Sequence, residues 1–187
     1  YFNTINIENK KDITIESYAN GKAVISGGIS LNSGDFSAVT DNEVLKRFGS
    51  EARGKLLQLD LSKYINVKNI RSMIYKDNYY RLYNDGNLQT LARYPNAEYA
   101  TLRAVNKENP EEGFTIEGTD RAKSWQNVSD MYMSGFVSAP YNMHKINIAS
   151  LDNNSGVMSI EKSYLDINGI SAIMCNIPEE LDIPGEW

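Results

Sequence analysis

Apolar residues in this chain alternate with polar ones in short runs, and almost every run closes on Asn, Asp or Gly. A repeat of two places one face of an extended strand against a core and the other against water, whereas a helix needs a repeat near 3.6. Ile5 and Ile7, Ile13 and Ile15, and the stretch KLLQLDLSKY all follow the strand pattern. The chain is therefore expected to be all-β, with one or two short helices.

The turns reinforce this expectation. In SMIYKDNYYRLYNDGNLQTLARYP, the pair Asp85-Gly86 favours the positive φ angles of a type I′ turn and predicts a hairpin. A second hairpin is expected in HKINIASLDNNSGVMSIEKS, turning around Asn153 to Gly156. TDNEVLKRFG reads as one short helix, with Thr40 as N-cap, Glu43 completing a capping box and Gly49 as the stop. EGTDRAKSWQNVSD offers at most a helical turn starting near Thr119 or Asp120. The middle of the chain should thus be an antiparallel β-sandwich or a distorted barrel. Before it, Ile5, Ile7, Ile13, Ile15, Val24 and Ile25 mark three short strands with polar corners. These fit either a meander or one coil of a right-handed parallel β-helix, whose rungs bury their apolar faces by stacking.

With 187 residues, 41% hydrophobic and 23% charged, there is chain enough to bury a core. A net charge of -5, with the lysines and arginines scattered among acids, argues against nucleic acid as a partner. No apolar run reaches the roughly 20 residues of a membrane span, so no membrane insertion is expected. The single cysteine, Cys175, excludes an internal disulfide and a thiolate metal cage, and is expected as a small buried hydrophobe. The single histidine, His144, excludes a histidine metal cluster and is expected at the start of a strand. No metal site, cofactor or catalytic residue is assigned. The many acids lie in no pattern that sets two across a cleft, and most are expected to be solvated. Asp152 to Asn154 offer oxygens but lack the ligand spacing of a calcium loop. Trp125 and the tyrosines at 79, 80, 83, 94 and 99 are possible stacking surfaces for sugar rings, although alternating aromatics in strands more often pack in cores.

Arg93 precedes Tyr94-Pro95, and the proline biases Tyr94 towards an extended conformation. The guanidinium is expected to clamp a carboxylate, Asp182 or Glu186, rather than to point at a ligand. In LDIPGEW, Pro184-Gly185 supplies a tight turn and Trp187 begins a new strand. The chain ends on that large ring and opens without Met on an alternating stretch, so it is expected to be a piece of a longer protein.

Three stretches, YRLYNDGNLQTLARYPNAEY, MSGFVSAPYNMHKINIASLDNNSGVMSIEKS and CNIPEELDIPGEW, resemble in that order segments of bacterial right-handed parallel β-helix proteins. That group includes glycoside hydrolases with a β-sandwich inserted early in the helix. The resemblance is carried by Gly86, Ala92, Arg93, Pro95 and Asn96, and by Asn176, Glu179, Glu180, Leu181, Asp182, Pro184, Gly185, Glu186 and Trp187. It implies an entering β-helix segment over 1–31, an inserted sandwich over 32–175 and a return strand over 176–187. It further implies a non-catalytic accessory fragment of a secreted or surface bacterial carbohydrate-active enzyme, whose catalytic acids lie on later rungs. The fragment would help to wall a polysaccharide-binding cleft, with Arg93, Tyr94, Asn96 and Trp125 as candidate sugar contacts. Its partners would be a polysaccharide or oligosaccharide and the rest of the β-helix. An independent carbohydrate-binding or adhesion module, or part of a β-helix lyase or epimerase, is the alternative.

Overall fold

The computed structural model describes residues 8, 11–21, 26–66, 81–109, 112–126, 130–139, 142–160, 167 and 169–187. The chain divides into two compact units, Tyr1–Leu31 and Asn32–Trp187. The described residues of the first contain no strand, and Ile13 and Ile15 are exposed. Ile5, Ile7, Val24 and Ile25 lie outside the described residues.

The second unit opens with short elements. Strand β1 (Ser37–Ala38) pairs antiparallel with β2 (Leu57–Gln58), and between them lies α1 (Asn42–Leu45). The cap of α1 is Asp41 rather than Thr40: the Asp41 carboxylate accepts from the backbone N–H groups of Glu43 and Val44. An aspartate one residue further on competes better for the same donors than threonine. KLLQLDLSKY keeps strand geometry only over β2, because Asp60 caps a 3-10 turn at Leu61–Lys63 and ends the alternation. The first hairpin, β3 (Tyr83–Asn84) and β4 (Asn87–Leu88), turns as expected at Asp85 and Gly86, with φ of 49° and 79°.

The remaining strands are β5 (Arg93–Tyr94), β6 (Ala100–Ala104), β7 (Phe114–Ile116), β8 (Tyr132–Ala139), β9 (Asn142–Asp152), β10 (Val157–Ile160) and β11 (Ser171–Cys175). They do not form two facing sheets. The order β11-β6-β7-β10-β9-β8 closes on itself because β11 also pairs with β8, giving a six-stranded antiparallel barrel. Strand β5 continues the edge of β11 beyond the end of β6. Closure depends on Gly135, which stands opposite Ala172: a Cβ there would lie 2.5 Å from the Ser171 carbonyl oxygen and 2.8 Å from the Ala172 Cβ. The interior holds Leu102, Phe114, Ile116, Met133, Ile148, Met158, Ala172 and Met174, with Trp125, Met131, Ile167 and Ile177 in the same cluster. Unbranched methionines fill the uneven gaps that a tapering barrel leaves.

The second hairpin is β9 and β10, turning at Asp152 to Gly156, where the Asp152 carboxylate accepts from Asn154 N–H and the Ser155 hydroxyl. Its oxygens are thereby committed to the turn. His144 is half-buried on β9, and Cys175 is buried on β11, where burial pushes the thiol pKa up. Among the described residues no helix is long and apolar enough to cross a membrane.

Candidate functional site

The residues singled out in the sequence converge on the stretch that follows β11. Pro178 opens a 3-10 turn, Pro178–Glu180, as suits a residue with a fixed φ and no N–H to lose. A turn this tight sends consecutive side chains in different directions, and Glu179 and Glu180 make separate long-range contacts. Both are buried, Glu180 with 1% exposure, which corrects the expectation that these acids are solvated. A carboxylate is held in such a place only where donors replace the water it has lost.

Glu180 has three such donations. Its Oε1 accepts from Arg121 Nε (2.7 Å) and from the Trp125 indole Nε1 (2.6 Å), and its Oε2 accepts from Arg121 Nη2 (3.0 Å). Bidentate pairing of this kind fixes the guanidinium plane as well as its charge. The hydrogen bond that Arg121 donates to Glu180 raises the Arg121 pKa, against an opposing effect of burial. Arg121 Nη2 also reaches Asp182 Oδ2 at 3.1 Å. Glu179 accepts from Arg47 Nε (2.8 Å) and from the backbone N–H of Gln126 (3.2 Å), tying the segment that carries α1 to the barrel.

Trp125 ends the 3-10 turn Arg121–Ser124 that was expected near Asp120, and it is fully buried. It presents no face to solvent, so it is not an exposed platform for a sugar. Its ring packs edge-on against Tyr94, with centroids 6.1 Å apart at 60°. Tyr94 itself is half-buried, and its peptide bond to Pro95 is cis. Arg93 closes on a carbonyl rather than on a carboxylate: its Nη2 donates to the Asn96 oxygen at 2.7 Å. Asn96 then donates from its side-chain amide to Asp182 Oδ1 at 2.8 Å. The four candidate contacts Arg93, Tyr94, Asn96 and Trp125 therefore belong to one interlocked network. Of the other tyrosines, Tyr83 and Tyr99 are exposed, and Tyr99 leans on Phe136; Tyr79 and Tyr80 lie outside the described residues.

LDIPGEW folds back on itself beside this network. Glu186 Oε2 accepts from the N–H groups of Asp182 (3.0 Å) and Ile183 (3.2 Å), and Gly185 takes the positive φ that the turn requires. Burial, with Asp182 and Glu180 near, raises the Glu186 pKa. Trp187 does not begin a strand; an isolated parallel bridge joins Glu186 to Thr90. Around it Thr90 N–H donates to the Gly185 oxygen, Trp187 N–H to the Thr90 oxygen and Ala92 N–H to the Trp187 oxygen, just before β5. Sequence reasoning missed Arg47 and Arg121, whose partners lie 132 and 59 residues away and leave no local signal.

These residues form a clasp. Its acids meet arginines, an indole and backbone N–H groups, while Glu179 Oε2 and Glu186 Oε1 are buried without a hydrogen-bond partner, and among the described residues no group of three or more His, Cys, Asp and Glu is placed to hold a metal ion. No family model, no curated protein and no solved structure matches this chain.

Proposed function

We propose that this chain is a non-catalytic accessory module of a carbohydrate-active protein of the β-helix kind, secreted or displayed at a bacterial cell surface, which helps to wall the cleft where a polysaccharide lies. The observation that carries the non-catalytic part is the commitment of Glu179 and Glu180 to Arg47, Arg121, Trp125 and Gln126. Glycoside hydrolysis needs one carboxyl group held protonated and a second facing the sugar. The Glu180 carboxylate, forked by a guanidinium, capped by an indole and 1% exposed, has no side open to a sugar. The carbohydrate part rests on the resemblance of the ARYPN and LDIPGEW stretches, now adjacent through the contact of Asn96 with Asp182.

The test is direct. The purified chain, incubated with a panel of aryl glycosides, is expected to release no phenol and to give little or no signal on a glycan array. Turnover by the chain itself, lost in Glu180→Gln, would overturn the reading. An independent binding module would instead capture a defined glycan on the array.

A further inference from the structure

Beside β7, next to the turn that carries Arg121, lies an open cavity of about 400 Å³, within the size range of small-ligand sites. Its walls include Thr115, Ile116, Gly118, Thr119, Asp120 and Ser155, drawn from β7, the loop after it and the β9–β10 turn. Thr115 alternates along the strand with the interior-facing Phe114 and Ile116, so its hydroxyl faces outward.

The hydrogen-bond state of these groups defines what they accept. Thr119 Oγ1 accepts the N–H of Arg121 (3.1 Å), which leaves its own proton to donate. Ser155 Oγ donates to Asp152 (2.6 Å) and accepts from Val157 N–H (3.3 Å), which leaves it one lone pair. Asp120 stands where an aspartate ordinarily caps the following turn, yet its carboxylate makes no such bond. One carboxylate oxygen meets Lys123 Nζ at 2.9 Å and the other remains an acceptor. Around Gly118 no atom lies within 4 Å of where a Cβ would sit, so the space beside it is open.

A ligand that satisfies this set carries donors and acceptors a few ångströms apart; Ile116 and Ala122 are buried in the core and offer it little apolar surface. An anion is disfavoured, since the Lys123 ammonium is already paired and Asp120 and Asp152 stand close by. A flat aromatic ligand finds no ring to stack on in the walls. Vicinal hydroxyls on a saturated ring fit: two adjacent O–H groups donate to Asp120 while Thr119 donates back. We propose that this cavity is a subsite for a single neutral sugar residue, which rests on the carbohydrate reading above and adds to it a place of contact. With Asp120 83% exposed, each bond competes with water, and affinity falls in the range of about 1 mM. That is too weak to register on a glycan array.

The experiment is an amide chemical-shift titration of the whole chain with the methyl glycosides of glucose, xylose and fucose, alongside inorganic phosphate and cyclohexanol. At least one sugar is expected to give saturable shifts at Thr115, Gly118, Thr119 and Ser155. Asp120→Asn, at an exposed position, should weaken binding about tenfold, the loss of one charged acceptor. Thr115→Trp, which fills the cavity, should abolish it while the methyl signals of Met133 and Met158 stay in place. The absence of saturable shifts with every sugar, shifts that survive Asp120→Asn, or equal shifts with phosphate or cyclohexanol would each overturn the subsite. Turnover of aryl glycosides would overturn the accessory reading and leave the subsite standing; missing shifts without turnover would remove the subsite alone.

Discussion

Residues 32–66 and the barrel with its clasp, 92–187, use the same kind of side chain in opposite ways. In the first region Asp41 and Asp60 act locally: each accepts from a backbone N–H group two residues ahead, and the elements they cap contain no buried residue. In the second, Glu179 and Glu180 are buried and act over distances of 53 to 132 residues. An exposed cap supports one turn and can be lost with that turn alone. A buried carboxylate belongs to the whole unit, because removing any partner leaves a charge without water or counter-charge. Arg47 joins the two regimes, since it sits just beyond α1 and its guanidinium ends on Glu179.

The sharpest way to break this comparison is Glu180→Ala. It removes the acceptor of the buried Trp125 N–H and leaves the partly exposed Arg121 with Asp182 alone, and an expected loss of about 3 kcal/mol should appear as a lower denaturation midpoint for the entire barrel. A loss confined to one loop would show that the clasp is not part of the cooperative unit. Arg47→Ala comes next, at about 1–3 kcal/mol, because Glu179 keeps the Gln126 N–H. Its signature in hydrogen exchange is selective: amides of residues 42–48 lose protection while those of β8, β9 and β11 keep theirs. Equal loss in both regions would erase the distinction drawn here. Asp41→Ala should cost about 1 kcal/mol, felt in α1 alone.

The smallest effect is expected at Glu186, and its sign is informative. Its folded pKa lies above the ordinary 4.5, so the folded state holds the proton more tightly than the unfolded chain does. The associated stability is present in full below the unfolded value and is lost as pH rises through the folded one. Glu186→Gln keeps an acceptor for Asp182 and Ile183 N–H without that loss. Stability at neutral pH should therefore stay within about 0.5 kcal/mol of the parent or rise slightly, with a flatter profile from mildly acidic to neutral pH. Asp35, Asp60 and Asp152 run the other way. Hydrogen bonds from Tyr64, Ser62 and Ser155 hold their pKa values below 3.8, so their contributions are present above that value and disappear as acid titrates each carboxylate. A melting-temperature profile against pH, measured for the parent and for Glu186→Gln, separates the two behaviours.

What the sequence alone determined is what neighbouring residues decide between themselves. Asp85-Gly86 and the Asp152 to Gly156 stretch dictated their hairpins because positive φ and side-chain-to-backbone bonds are settled within a few residues. The two-residue repeat determined an all-β chain for the same reason. The tertiary structure decided the rest. Alternation says which face of a strand is buried but not whether the last strand meets the first, so sandwich and barrel read alike until β11 pairs with β8 across the gap that Gly135 leaves. Nor does alternation say which carboxylate finds a cation. Glu179, Glu180 and Asp182 stand in one short run of sequence, and only closure of the barrel brings Arg121 and Trp125 to Glu180, while Arg47 reaches Glu179 and Asn96 reaches Asp182. Electrostatic pairing is decided by distance in space, and distance in space is what a linear pattern does not encode.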